Sequence, residues 1–343
     1  MGYTGIDLSR LALSTAGKPM HRISIIIPAF NSQDYIAETI DSILEQSFND
    51  FEVLIVDDGS TDKTADIIGG FDDPRIRYFY QDNSGRPSIP RNRAIREAQG
   101  DVIFIFDSDD LMLPNKLRDT LTALDSQPTA GMVFTGFACI DEAGEVINSD
   151  FLAPYETLQR LTKIKISDDA WLIESKTALQ GLARSNYVGT SGVAIRRDVF
   201  DKVGLFDEDV RNADDFIMWQ AIASQFDLIY LPAIYHQYRV RSGSISLRSI
   251  EERAPSIIKA IDKMKSFHQH DQTSLAILDG KIARYYHEMG YSYFKQYQLG
   301  KARQAFRSAR RIKPNNDSLF YMLMSYLPAP AIQWLKKIKP QNR

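Results

Sequence analysis

The chain has 343 residues with 44% hydrophobic and 25% charged side chains, the balance of a soluble globular protein large enough for one big domain or one plus a smaller partner. Its net charge of −3 argues against nucleic acid as a partner, and the single cysteine, Cys139, excludes an internal disulfide framework and a Cys-rich zinc site, which suits a reducing compartment. No apolar run approaches the roughly 18 residues that a transmembrane helix needs.

Residues 1–21 lack a continuous apolar centre and read as an N-terminal extension, not a signal peptide. Residues 23–27 (ISIII) form a β-branched run stopped by Pro28, as in a buried parallel strand. Residues 34–47 space Ile36, Ile40, Ile43 and Leu44 as a helix does. Residues 51–56 (FEVLIV) predict a second strand, after which Ser60 or Thr61 caps a helix through Ile67. Residues 76–80 predict a third strand, 91–99 a helix stopped by Gly100, and 102–106 (VIFIF) another buried strand. This alternation predicts right-handed crossovers in a mixed, mainly parallel α/β sheet. Further on, 131–138 and 189–196 read as strands, 197–203 and 213–225 as helices, and 228–231 and 235–240 as the last strands. Residues 150–185 read as a mobile loop with short helices. From about 250 the pattern is helical only.

In open α/β sheets ligands bind outside the carboxyl ends of the strands. The first strand ends in Pro28, Ala29, Phe30 and Asn31, and the second in Asp57 and Asp58. The strand at 102–106 ends in Asp107-Ser108-Asp109-Asp110. Three carboxylates in four residues repel one another unless a cation is present, and hard oxygen ligands suit Mg²⁺ or Mn²⁺ shared with a diphosphate. An aromatic ring such as Phe30 can stack on a base, and Asp57 or Asp58 can accept from a ring N–H or a ribose hydroxyl. Arg86, Arg91 and Arg93 can balance a diphosphate. Asp214 and Asp215 open the helix at 213–225, where they are either a charged helix start or a general base aimed at the sheet edge.

Taken together, these segments resemble glycosyltransferase family 2, which has the GT-A fold. The resemblance rests on 23–31 (ISIIIPAFN), 51–64 (FEVLIVDDGSTDKT), 83–92 (NSGRPSIPRN), 100–110 (GDVIFIFDSDD), 203–208 (VGLFDE), 213–219 (ADDFIMW) and 238–246 (YRVRSGSIS). It implies an inverting transferase that moves a sugar from a nucleotide-diphosphate donor, with uridine the expected base, to a saccharide or lipid-linked acceptor hydroxyl. The setting it implies is cell-surface polysaccharide or glycolipid synthesis. Pro28, Phe30, Asn31, Asp57, Asp58, Arg91, Asp107 and Arg241 would then serve the donor. Asp109 and Asp110 would hold Mg²⁺ or Mn²⁺. Asp215 would be the base, preferred over Asp214, which replaces the family's usual glutamate. Pro90 stands where Ala is usual. Arg241 stands where His is frequent, and an arginine can neutralise phosphate but not ligate a metal. A phosphohydrolase with an Asp nucleophile would want Thr or Val in place of Leu111, and a nucleotidyltransferase would want a Gly-rich loop near the start. The alternative is a catalytically inactive GT-A scaffold that acts through its helical tail.

That tail has its own character. Residues 281–343 carry 13 Lys and Arg against Glu288 and Asp317, whereas residues 1–280 carry 28 basic and 42 acidic residues. Residues 283–316 resemble one tetratricopeptide repeat, with Tyr286, Met289, Gly290, Tyr293, Ala302, Phe306, Ala309 and Pro314 at the pattern positions. Beyond it, Tyr321–Met324, Tyr326, Leu327, Trp334 and Leu335 stand beside Lys336, Lys337 and Lys339, a mixture suited either to a membrane interface or to packing on the repeat. The expected organisation is an extension at 1–21, a GT-A unit at 22–248 and a helical region at 249–343. The expected location is cytoplasmic, peripheral on the inner face of the membrane.

Overall fold

The computed structural model describes residues 22–242, 248–328 and 330–332. The first half runs β1 (Ile23–Ala29), α1 (Ile36–Leu44), β2 (Phe51–Asp58), α2 (Thr64–Gly69), β3 (Ile76–Gln81), α3 (Ser88–Glu97) and β4 (Val102–Ile105). These strands lie side by side in the order β3-β2-β1-β4, all parallel. Successive side chains of a strand point to opposite faces. Ile26, Leu54 and Val56 accordingly enter one apolar core, while Ile25, Ile27, Val53 and Ile55 enter another on the far face. Covered on both faces, these strands can be apolar throughout.

The second half adds β5 (Leu111–Met112), α4 (Lys116–Ser126), β6 (Ala130–Ile140), β7 (Val146–Asn148), α5 (Glu156–Arg160), β8 (Ile164–Ser167), β9 (Ala170–Ile173), α6 (Ser175–Arg184), β10 (Val193–Arg196), α7 (Arg197–Val203), α8 (Asp214–Ala223) and β11 (Asp227–Arg239). The sheet continues from β4 through β10, β6, β11 and β9 to β8. β10 is antiparallel to both neighbours, and β11 is parallel to β6. The result is a mixed sheet whose central strands are mostly parallel.

Several local expectations change. The segment at 150–185 holds α5, the β8–β9 hairpin and the whole of α6; β9 extends the sheet beside β11. Strands of four residues are too short to leave a periodic signal. The two strands expected at 228–240 are one, bent by register shifts around Pro232, which has no N–H to give to the ladder. The strand expected from 189 begins at Val193, and Thr190–Gly192 form a 3₁₀ turn instead. α2 is not capped by Ser60 or Thr61: the Asp62 carboxylate accepts from the Thr64 N–H and hydroxyl. α4 was not anticipated from the sequence.

Beyond β11 the described residues form helices: α9 (Ile250–Met264), α10 (Gln272–Lys295), α11 (Leu299–Ile312) and α12 (Asn316–Met324). α8 carries apolar residues on every side and is sandwiched between sheet and tail. Ala260, Ile261 and Met264 of α9, with Leu278 and Ile282 of α10, complete the same core as Trp219 and Ile222. His268 hydrogen-bonds Gln220 at 2.7 Å, and Gln180 reaches Asp271 at 2.9 Å. α10 and α11 form a close hairpin; a Cβ on Gly290 would sit 2.9 Å from the Phe306 ring. Among the described residues no helix is long and apolar enough to cross a membrane.

Candidate active site

The carboxyl ends of β1, β2 and β4 open into one cleft of about 1150 Å³. On one side it is lined by Pro28, Phe30, Asn31, Asp58, Asn83, Gly85 and Arg86. Phe30 is 46% exposed, so a large apolar ring is offered to the cleft. Asn31 turns the chain sharply, with φ +47°, and its side-chain oxygen accepts from the Thr61 N–H at 2.9 Å. Asp58 accepts from Gln81 Nε2 at 2.6 Å and from the Ser84 hydroxyl at 2.8 Å, which anchors the 83–87 loop. Next to it Gly59 takes φ +78°, and a Cβ there would stand 2.5 Å from the Asn83 nitrogen, so no side chain fits.

Where Asp57 was expected at a nucleoside, the structure places it beneath this wall. It is fully buried, accepting from the Ser60 N–H at 2.8 Å and the Tyr78 hydroxyl at 2.9 Å. Its direct role is to shape the β2 turn.

The acidic run divides in the same way. Asp107 and Asp109 line the cleft. Asp110 lies behind them, fully buried, with its oxygens accepting from the Arg239 N–H at 2.9 Å and from the Ser191 hydroxyl. Burial pushes the Asp109 carboxyl up to about 6, partly offset by Arg241, whose Nε lies 2.6 Å from Asp109 Oδ2. Asp110 is pushed well above the usual carboxylate range by burial and by Asp109 and Asp107. Lys116, at the start of α4, is entirely buried near Asp110 and Thr135, and burial lowers its ammonium to about 7. Among the described residues no group of three or more His, Cys, Asp or Glu side chains is arranged to hold a metal ion. Any cation here would need oxygens from a ligand to complete its shell.

Arg91 ties the cleft together. It is buried on α3, and donates to Asp107 at 2.8 Å and to Asp214 at 3.1 Å. Burial works against its charge, but Asp107 and Asp214 more than offset this and raise its pKa. Ala213, with φ +67°, makes the left-handed turn that starts α8 and brings Asp214 and Asp215 to the cleft. Burial moves Asp214 up to about 6, against the pull of Arg91. Asp215 is also raised by burial; its Oδ2 accepts only a long bond from the Thr190 hydroxyl, 3.3 Å, and its Oδ1 bonds the Phe216 N–H. Asp214 is thus committed to a cation, and Asp215 is the freer carboxylate of the two.

The expected donor, metal and base residues therefore converge on one cleft, apart from Asp57, expected at the donor, and Asp110, expected at the metal, which both lie below its floor. Sequence reasoning missed Ser191, Thr190 and Lys116. It also missed a wall made by Arg184, Arg211, Arg253, Lys281 and Arg284. Of the 238–246 segment, residues 243–246 lie outside the described residues.

The family model of Glycosyl transferase family 2 matches residues 24–204, more than half of the chain. A putative teichuronic acid biosynthesis glycosyltransferase, TuaG, of Bacillus subtilis (strain 168) is 29% identical over 68% of this chain and 83% of its own length. The crystal structure of S. aureus TarS 1–349 in complex with UDP-GlcNAc superposes with a TM-score of 0.61 at 18% identity, covering 94% of this chain and 93% of that one. The mannosyltransferase PcManGT from Pyrobaculum calidifontis, in complex with GDP-Man and Mn²⁺, superposes with a TM-score of 0.56 at 19% identity, covering 94% and 86%. The chain therefore belongs to glycosyltransferase family 2, with the GT-A fold, and is a glycosyltransferase.

Proposed function

We propose that the chain transfers a sugar, with inversion, from a UDP-sugar to an acceptor hydroxyl in cell-surface polysaccharide or glycolipid synthesis. The observation that carries this reading is the meeting, in one cleft, of an exposed aromatic ring, a carboxylate–guanidinium floor and a freer, half-buried carboxylate. The UDP-GlcNAc complex of TarS and the name of TuaG are consistent with the donor and the setting.

Phe30 stacks on the base, and Asp58 holds the loop that closes over it. Asp57 and Asp110 support the turns from below. Arg241 and Arg91 neutralise part of the diphosphate charge. The acceptor hydroxyl attacks the anomeric carbon from the face opposite the diphosphate. The new C–O bond forms as the bond to the phosphate oxygen breaks, and the acceptor proton passes to the Asp215 carboxylate. Burial raises this carboxylate, which brings it closer to the range a general base needs.

The donor set fits Mg²⁺ or Mn²⁺ in the sparse manner such ions use with nucleotides, one or two carboxylates plus phosphate oxygens. Asp109 would hold it, with Asp107 alongside, and the ion would neutralise charge on the leaving diphosphate. The presence of Mn²⁺ in the PcManGT complex supports reading a divalent ion here.

In the tail, the close Gly290–Phe306 approach supports reading 283–316 as a tetratricopeptide-like unit, within a helical region at 249–343 that follows a transferase unit at 22–248. α12 packs Tyr321, Met322 and Met324 inward yet leaves Phe320 and Leu323 exposed, as are Tyr326 and Leu327 after it. This favours peripheral contact with the membrane surface. Trp334, Leu335, Lys336, Lys337 and Lys339 lie outside the described residues.

Thermal unfolding with a panel of nucleoside diphosphates, with and without Mn²⁺, tests the proposal. A rise in midpoint confined to UDP and enhanced by Mn²⁺ is expected, because a ligand bound only to the folded state stabilises it by mass action. No shift with any nucleotide would overturn the donor assignment and favour an inactive scaffold.

A further inference from the structure

The cations expected to meet the donor lie at the sheet edge. A second set lines the same cleft from other elements: Arg184 at the end of α6, Arg211 before α8, Arg253 on α9, and Lys281 and Arg284 on α10. Every acid on the cleft wall (Asp58, Asp107, Asp109, Asp214 and Asp215) belongs to the sheet edge or the start of α8. Among the described residues, the side chains of Arg211, Arg253 and Lys281 have no ion-pair partner. Arg284 has only Glu288 at 3.6 Å, and Arg184 donates to the Gln180 carbonyl at 3.3 Å. The Arg253 Nε is buried with no hydrogen-bond partner among the described residues. Lys281 Nζ sits 5.2 Å from the centre of the Phe216 ring, one residue beyond Asp215.

This arrangement is built, not incidental. The Ser256 hydroxyl on α9 accepts from the Arg211 and Asn212 N–H groups, which ties the loop before α8 to the tail. α9 and α10 share the core of α8. Like charges gathered on a partly desolvated wall, without acids, repel one another until an anion arrives. Burial, and then Arg284, lower the Lys281 ammonium to about 8.

We propose that this wall binds an oxyanion, phosphoryl or carboxylate, carried by the acceptor close to the attacked hydroxyl. The proposal rests on the transferase reading above and names its acceptor class: an anionic glycan or polyol. Guanidinium groups match either oxyanion through paired hydrogen bonds.

The test is calorimetric titration of the full chain in saturating UDP with three oligomers of equal length: a polyol phosphate, a uronate oligosaccharide and a neutral glucan. At least one anionic oligomer is expected to bind tenfold or more tightly than the glucan, with an affinity that falls as salt rises. Whether the phosphate or the carboxylate oligomer is preferred identifies the group. The Lys281→Gln/Arg253→Gln double variant should bring the anionic-to-neutral ratio close to one, and Lys281→Arg should keep it. Equal binding of the glucan by the wild-type chain would overturn the proposal, and so would a preference that survives in the double variant. Failure of UDP to bind, with the preference intact, would count against the donor reading and not against the anionic wall.

Discussion

Asp109→Asn offers a test in which stability and function move in opposite directions. Asp109 is 13% exposed, and burial outweighs the help of Arg241, so its folded-state pKa rises from 3.8 to about 6. A carboxyl that binds its proton more tightly when folded favours the fold in its protonated form. That contribution is whole below pH 3.8 and is lost as the pH rises through about 6. The span corresponds to roughly 3 kcal/mol at ~1.36 kcal/mol per pH unit. Asparagine mimics the protonated carboxyl and escapes this loss. The variant should therefore be more stable than wild type by roughly 3 kcal/mol at pH 7.5 and by roughly 1 kcal/mol at pH 4.5. With ~2.1 cal/mol/K of unfolding entropy per residue, the larger gap raises the midpoint by about 4 °C. Calorimetric unfolding at the two pH values measures it. Adding Mn²⁺ and UDP at ~100 times Kd should add roughly 2.7 kcal/mol to wild type alone and nearly close the gap. A variant less stable than wild type at pH 7.5, or a gap independent of pH, would refute the reasoning.

Three further outcomes follow from the same geometry. Asp215→Asn should cut the single-turnover rate of transfer by about 10²–10⁴-fold while leaving the Kd for UDP-sugar within twofold; a tenfold weaker Kd would remove it from the role of base. Arg91→Met withdraws the cation between the half-buried Asp107 and the buried Asp214 and should cost about 3–5 kcal/mol in urea unfolding at pH 7.5, against almost nothing if the three groups were independently solvated. Gly290→Val drives a side chain into Phe306 and should cost about 1–3 kcal/mol, read as a lower thermal midpoint.

The parts that were legible in the sequence share one property: each is a local run that reports its own surroundings. Ile-Ser-Ile-Ile-Ile and Val-Ile-Phe-Ile-Phe announce buried strands because a strand covered on both faces tolerates no polar alternation. Their carboxyl ends lie at one edge because the strands are parallel, so Phe30, Asp58 and Asp109 could be placed in one site before any coordinate. The pairing of Arg91 with Asp214 and the burial of Lys116 were not legible. Asp214 lies 123 residues from Arg91, and a buried lysine has no pattern that separates it from a solvated one. The short strands β8 and β9 were lost for a related reason: four residues complete too few alternations to stand out from a loop.

The same distinction explains why the chemistry of transfer was easier to read than the choice of acceptor. The residues proposed to grip a diphosphate and to move a proton are held by strand ends and by the first turn of α8, positions that sequence order alone brings near one another. The basic wall comes from α6, α9 and α10, and only the packing of Ala260, Ile261, Leu278 and Ile282 onto the core of Trp219 sets those helices against the cleft. In the sequence Arg253 and Lys281 belong to ordinary amphipathic helices, where arginine and lysine mark a solvated face. Once docked, they face the cleft, whose lining acids all stand on other elements. A change of acceptor charge could therefore come through a few substitutions on α9 and α10 without touching Asp109, Arg91 or Asp215. Selectivity between anionic and neutral acceptors and the rate of the chemical step should accordingly be separable by mutation.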